Sequence, residues 1–261
     1  MSAWQDLGLG LARWEVFARL GWFEVKRRYR RTIIGPLWGT LNLAVFILAL
    51  GFVGGGILRK GISGYLPYLS VGMIMWVFIS TVMNESCSLF IASQNLFRQM
   101  QLSYSSLAFA LVWRNLIVFF HNIVAYLLFA ILFAPHLFTV WAPLAIVGLA
   151  INVVNAVWVA MLLGMICLRF RDLQQLTTTF VQIAMFISPV FWTPDSLQGL
   201  RRLLFVELNP FYSLIEVVRR PLLGSVPGIE VYAMACFVTI VGCSVTFFFF
   251  SRFRKRIAYW A

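Results

Sequence analysis

The chain has 261 residues, of which 61% are hydrophobic and only 11% charged, with a mean hydropathy of +0.87. Soluble domains carry about 25% charged and about 45–50% apolar residues, and disordered chains are polar and poor in aromatics, so both classes are excluded. The net charge of +12 would suit a nucleic-acid binder, but the bases cluster at the ends of apolar runs, the pattern of membrane topology, and no nucleic-acid partner is expected.

The first 31 residues hold seven bases and neither an unbroken apolar core nor a small-residue cleavage site, so they do not read as a signal peptide. Trp14, Phe17, Ala18, Gly21, Trp22 and Val25 share a helical stripe, with Arg13, Arg19, Lys26 and Arg27 mostly off it. This spacing predicts an amphipathic helix lying on the membrane surface. The run Lys26-Arg27-Arg28-Tyr29-Arg30-Arg31 has two readings: a topology anchor that also binds anionic lipid, or a docking surface for a cytoplasmic partner.

Crossing the hydrocarbon core takes about 20 mostly apolar residues. Uncharged stretches cover Thr32–Leu58, Gly61–Asn84, Asn115–Leu168, Leu173–Pro194 and Val231–Ser251. The third is long enough for two spans, with a turn at Pro135-His136. The reading is an all-α polytopic membrane protein of six transmembrane helices, at about 33–58, 65–88, 113–134, 140–168, 173–193 and 229–251. Residues 1–31 form the interface segment and 32–261 one membrane domain. An even span number puts both termini on one side. That side would hold fourteen Lys and Arg against six on the other, with Arg114 at a boundary. Cytoplasmic termini are therefore expected.

Residues 195–227 are too polar to cross and too apolar for a plain loop. Asp195-Ser196 is expected to cap a short helix through Leu203, Leu204 and Phe205, broken by Asn209-Pro210. Phe211–Val218 is a second short apolar piece, stopped by Arg219-Arg220-Pro221. Two short helices at the outer face predict a re-entrant hairpin, which is tolerated at membrane depth only where protein or water surrounds it. The pairs Gly35/Gly39 and Gly51/Gly55 would permit close helix approach.

Much chemistry is missing. The three lysines, Lys26, Lys60 and Lys255, are followed by Arg27, Gly61 and Arg256, so no GxxxxGK[ST] phosphate loop exists. There is no GxSxG elbow, no HExxH and no paired-aspartate motif. His121 and His136, and the cysteines Cys87, Cys167, Cys236 and Cys243, lack metal-ligand spacing. Neither a catalytic residue nor a bound metal is expected. Asp195, Glu207 and Glu230 are scattered, which leaves a membrane-embedded enzyme of envelope glycan assembly as a weaker alternative. Intramembrane acids are nearly absent, unlike an ion-coupled carrier. Uphill transport would draw its energy from another chain.

Several stretches carry a resemblance. Arg28-Tyr29-Arg30-Arg31-Thr32-Ile33-Ile34-Gly35-Pro36-Leu37-Trp38 resembles the entry to the first span of ABC-2 type permeases. Trp113-Arg114-Asn115 followed by Leu116 to Asn122 resembles the third span of the branch exporting O-antigen and related polysaccharides. Leu168-Arg169-Phe170-Arg171-Asp172-Leu173 resembles that branch's loop between spans four and five, and Ser188-Pro189-Val190-Phe191-Trp192-Thr193-Pro194 the end of its fifth span. Asn209-Pro210-Phe211-Tyr212, Glu216, Arg219, Pro221-Leu222-Leu223-Gly224 and Arg256-Ile257-Ala258-Tyr259-Trp260 fit as well. One departure lies before span three, where related permeases often carry a proline and this chain has Ser103-Tyr104-Ser105-Ser106.

The resemblance implies a homodimer in the bacterial inner membrane, paired with two copies of a separate ATPase that bind ATP and Mg; this chain itself would hold no cofactor. It implies export of a lipid-linked polysaccharide, with teichoic acid or another amphipathic cargo as the close variant. A coupling helix is implied at Gln94, Asn95, Phe97 and Arg98, and a second ATPase contact at Arg169, Phe170, Arg171 and Asp172, with Arg28 and Arg30 of the interface helix as a third. For both loops, a positive-inside anchor stands as the alternative.

A glycan path needs aromatic faces and amides. Most of the 25 Phe, 10 Trp and 8 Tyr are core or belt residues. Trp38, Asn42 and Phe46 on span one, at four-residue spacing, and Phe180, Gln182 and Phe186 on span five are the channel candidates. Arg114, Asn115, His121 and Asn122 on span three, with Asn152 and Asn155 on span four, read as interhelical glue or substrate contacts. Arg201, Arg202, Arg219 and Arg220 either pair with Glu207, Glu216 or lipid phosphates, or receive the pyrophosphate of an emerging glycolipid.

Overall fold

The computed structural model describes residues 3–30, 32–35, 37–57, 61–93, 102–137 and 139–260. Among them there is no strand. Every element is a helix or a helical turn, as lipid demands of a backbone that must satisfy its own hydrogen bonds. Two helices, α1 (Ala3–Ala12) and α2 (Trp14–Tyr29), precede the bundle and meet at Arg13. The long helices are α3 (Leu37–Ile57), α4 (Gly61–Ser86), α6 (Tyr104–Phe133), α7 (Leu144–Arg169) and α11 (Ile229–Trp260). All five are long and apolar enough to cross a membrane. Shorter pieces are α5 (Leu89–Ala92), α8 (Leu173–Ile187), α9 (Gly199–Arg202), which continues as a π turn through Glu207, and α10 (Pro210–Leu222).

The chain's alternation gives the bundle two ends. The proximal end carries α1, α2, the start of α6, the 169–172 turn and the last turns of α11. The distal end carries the Pro135–Leu137 turn, residues 139–143 and the broken helices between α8 and α11. The centre is α4, with 72% of its most apolar window buried against 22% for α3 and for α11. It packs on α3, α6, α7, α8 and α10. The outer helices keep large apolar side chains exposed, such as Phe52, Leu132, Ile240 and Phe248. In water this would be untenable; in hydrocarbon it is the expected surface.

Five helix boundaries differ from the sequence expectation. Helix α6 starts at Tyr104, not near 113, because Arg114 is neutralised inside the fold and does not end the helix. Helix α11 runs on to Trp260, carrying its basic turns as helix. The expected fifth span is a 15-residue helix followed by irregular chain from Ser188. Ser188 is extended (φ −82°, ψ 146°), as the residue before Pro189 prefers. The short helix after it begins at Gly199 (φ +57°), so Asp195-Ser196 does not cap it and lies instead in a 3-10 turn, Pro194–Ser196.

The second broken helix was expected to stop at Arg219-Arg220-Pro221, yet α10 continues to Leu222. Asn209 caps its start, its Oδ1 accepting from the Phe211 N–H (3.0 Å) and the Tyr212 N–H (3.4 Å). Pro221 cannot donate to the Val217 carbonyl, which faces Gly148 of α7, where a Cβ would overlap that oxygen. Asn152 of α7 donates to the Leu214 carbonyl at 2.8 Å, and Tyr126 of α6 to that of Leu222. Thus α10 is bound into the bundle by side chains reaching its backbone. Of the two expected glycine pairs, Gly51 sits against Leu66 of α4, whereas Gly35 (φ +62°) lies in the turn before α3 and is no packing partner for Gly39.

Candidate coupling face and distal clamp

At the proximal end, α2 lies against α6. A Cβ on Gly21 would meet the Ala110 carbonyl, so only glycine allows this approach. Gly21 and Val25 are buried, while Trp14 and Trp22 stay exposed on the shoulder of the helix. One turn along, Glu24 pairs with Arg114 of α6. Arg114 also reaches Glu85 of α4 (2.7 Å), and Glu85 accepts from Arg28 of α2 (2.5 Å) and from Asn115 Nδ2 (2.9 Å). Hydrogen bonding to Glu85 raises the Arg28 guanidinium above its ordinary pKa, against the desolvation of its half-buried place. Two acids and two arginines thereby tie α2 to two span helices. The charges balance, which makes their partial burial tolerable.

A second joint binds α1. Asp6 is fully buried. Its carboxylate accepts from the Ser105 N–H (3.0 Å) and the Tyr104 N–H (3.4 Å), capping α6 from outside, and from the Ser105 hydroxyl (2.9 Å). An anion at a helix N-terminus is favoured by the exposed N–H groups there. Arg254 of α11 pairs with the same carboxylate at 2.8 Å. The Ser103-Tyr104-Ser105-Ser106 departure thus has a structural counterpart: free N–H groups that Asp6 fills.

The expected coupling residues divide as follows. Arg169, Phe170, Arg171 and Asp172 form an exposed turn between α7 and α8 at the proximal end, with the Arg169 guanidinium 5.7 Å from the Phe170 ring centre. Arg30 is exposed at the end of α2, whereas Arg28 is engaged by Glu85. Gln94, Asn95, Phe97 and Arg98 lie outside the described residues.

The distal end is built around the irregular chain after α8. Its carbonyls have lost their helical partners and are met by side chains. Tyr65 donates to the Phe191 carbonyl, and Tyr68 to those of Trp192 (2.9 Å) and Pro189 (3.3 Å). Arg219 donates to the carbonyls of Pro189 (2.8 Å) and Val190 (3.3 Å). Gly72 of α4 lets the Val190 carbonyl approach. Asn209 Nδ2 adds a bond to Ser188 Oγ at 3.0 Å. Every carbonyl from 189 to 192 therefore has a donor, as irregular backbone away from water requires.

Of the two readings of the four distal arginines, pairing with Glu216 and Glu207 holds for three. Arg219 is wholly buried, paired with Glu216 and set 4.0 Å above the Tyr68 ring, so it faces the clamp and not an emerging phosphate. Arg220 holds the other Glu216 oxygen (2.9 Å) and the Tyr212 hydroxyl (3.1 Å). Arg202 pairs loosely with Glu207 (3.5 Å), and Arg201 is exposed.

The channel candidates Trp38, Asn42 and Phe46 are exposed on α3, and Phe180, Gln182 and Phe186 on α8, where the Phe180 ring lies 6.0 Å from that of Phe211 on α10 and the Phe186 ring 5.8 Å from that of Phe191. On α8 the exposed face also carries Gln175 and Thr179, at four- and three-residue spacings with Gln182. Among the glue candidates, Arg114 and Asn115 join the proximal network. Asn122 accepts from Thr40 of α3 (2.9 Å) and Asn155 donates to Thr239 of α11 (2.7 Å), but His121 only meets its own helix at the Ile117 carbonyl. Sequence reasoning missed Asp6, Glu24, Glu85, Tyr65 and Tyr68. The usable signal was the scarcity of acids: each of the nine in so apolar a chain calls for a named partner.

Comparisons with known proteins agree with this architecture. The chain is 22% identical over 242 residues to the O-antigen export system permease protein RfbA of Klebsiella pneumoniae, covering 90% of each chain. It is 25% identical over 195 residues to the protein of the same name from Myxococcus xanthus, covering 74% of each. The family described as ABC-2 type transporter matches residues 15–223, from α2 to the end of α10. With most of its length so matched, and with a polytopic all-α fold, the chain belongs to the ABC-2 type transporter membrane family.

Proposed function

We propose that the chain is the permease subunit of an ATP-driven exporter that moves a lipid-linked, O-antigen-like polysaccharide across the bacterial inner membrane. Two copies would pair, each engaging a separate ATPase subunit at its cytoplasmic, proximal end. One observation carries the reading: the interfacial helices are ion-paired to α4, α6 and α11, so a load on α2 is delivered to the membrane core. The exposed 169–172 turn at the same end supplies a second contact. With no phosphate loop in this chain, nucleotide is bound and hydrolysed by the partner. The names of the relatives support the direction and class of cargo.

The path is assigned to the exposed faces of α3 and α8. Gln175, Thr179 and Gln182 make a polar stripe that is costly against hydrocarbon. Facing a second subunit, with Trp38, Asn42 and Phe46 opposite, the stripe would line a lumen offering amides to sugar hydroxyls and ring planes to sugar faces. The distal clamp would then be the exit seal, opened when α10 shifts. The test is co-purification from native membranes. A soluble subunit bearing a phosphate loop is expected to accompany the chain, and Arg171→Glu to weaken that association. A chain that purifies without such a subunit, with Arg171→Glu changing nothing, would refute the assignment.

A further inference from the structure

An apolar groove of about 780 Å³ lies on the outside of the bundle between α6 and α11. These two helices each pack on α7 and leave a gap, floored by Val154, Val157 and Trp158 of α7. Helix α1 crosses the proximal mouth of the gap. Asp6 holds it to Ser105 of α6 and to Arg254 of α11, and Trp4 and Leu7 close that end. Only Cys243, Ser244 and Thr246 interrupt the apolar lining, and the Thr246 hydroxyl is bonded to the Trp158 carbonyl (3.4 Å). No polar ligand is invited. Next to the groove, α11 exposes Ile240, Val245 and Phe248, so the occupant arrives from hydrocarbon.

The volume falls within the ~300–1,000 Å³ of small-molecule sites. At the proximal mouth stands Arg13, exposed at the α1–α2 junction, two residues after Leu11 and one turn before Phe17, both of which line the groove. A guanidinium at that level suits a phosphate oxygen, and the basic surroundings favour an anionic headgroup. We infer that the groove is a binding site for one anionic phospholipid, its acyl chains between α6 and α11 and its phosphate at Arg13. The lipid completes the contact between α1 and the bundle and leaves the transport path on α3 and α8 untouched.

The experiment measures retained lipid by native mass spectrometry of the whole protein after extensive detergent washing, and thermal stability with added phosphatidylglycerol or phosphatidylcholine of the same chains. Wild type is expected to keep one phosphatidylglycerol per chain and to be stabilised by it. Val154→Trp fills the groove from a position already 45% exposed, and loses both effects. Leu132→Trp, exposed near the far end of α6 and outside the groove lining, keeps both. Arg13→Glu, at a surface site that cannot disturb the core, lowers the preference for phosphatidylglycerol over phosphatidylcholine about fivefold or more, since one surface base contributes about 1 kcal/mol. No retained lipid in wild type, unchanged retention in Val154→Trp, or an unchanged preference in Arg13→Glu overturns the proposal. So does a Val154→Trp protein that loses a partner copy in place of a lipid.

Discussion

Replacing Arg114 with glutamine is the sharpest perturbation of the proximal network. The side chain is only 14% exposed and holds Glu24 and Glu85 at once. Removing one member of a buried pair costs about 3–5 kcal/mol when a charge is left alone. Here Glu85, 19% exposed, keeps Arg28 and Asn115, and Glu24, 37% exposed, can rehydrate. The expected loss is therefore about 2–3 kcal/mol. Double-mutant cycles in mixed detergent–dodecyl sulfate unfolding would divide it. The Arg114–Glu85 coupling should be about 2 kcal/mol and the Arg114–Glu24 coupling about 1 kcal/mol or less, by their difference in solvent exposure. In the assembled transporter, the same variant should retain ATPase binding yet uncouple hydrolysis from transport. A coupling below about 0.5 kcal/mol in both cycles, with transport unchanged, would refute the idea that these four charges form a mechanical joint.

Other sites give independent tests. Asp6→Asn removes the carboxylate from Arg254 and weakens the cap on α6, at about 2–4 kcal/mol; limited proteolysis should then cut near Arg13 far faster than in wild type. Gly148→Ala forces a methyl against the Val217 carbonyl, and a cost of about 1–3 kcal/mol is expected, read as a lower unfolding midpoint with α10 displaced. Tyr68→Phe keeps the ring beneath Arg219 but leaves the Trp192 carbonyl without its 2.9 Å donor, costing about 1–2 kcal/mol. Hydrogen exchange in 188–193 should rise in that variant while the proximal end is unaffected.

The sequence made the membrane class, most of the spans and the broken helices legible, because charge-free runs and proline positions are local signals. It misplaced the start of α6, since a charge usually marks a helix end and Arg114 is an exception created by two distant acids. It extended the fifth span through Pro189, since composition alone does not show that Tyr65, Tyr68 and Arg219 would meet the carbonyls of an unwound chain. The pairing of Arg219 with Glu216 was one of two readings open in the sequence, and only the packing of α4 against α10 shows that Arg219 also turns inward onto the clamp. The clamp and the Asp6 joint both pair residues far apart in the chain, which no periodicity encodes. The exposed stripe on α8 was half visible: Gln182 was singled out, while Gln175 and Thr179 emerged only when the buried face of α8 was known.

The central claim is that this chain provides the passage and a different chain the energy. Reconstituted proteoliposomes test it directly, by following ATP hydrolysis and the movement of a lipid-linked glycan together. Without an ATPase partner the chain should show neither; with it, both should appear, and replacing Arg114 should lower transport while hydrolysis persists. Hydrolysis or sustained transport by the purified chain alone would contradict the account.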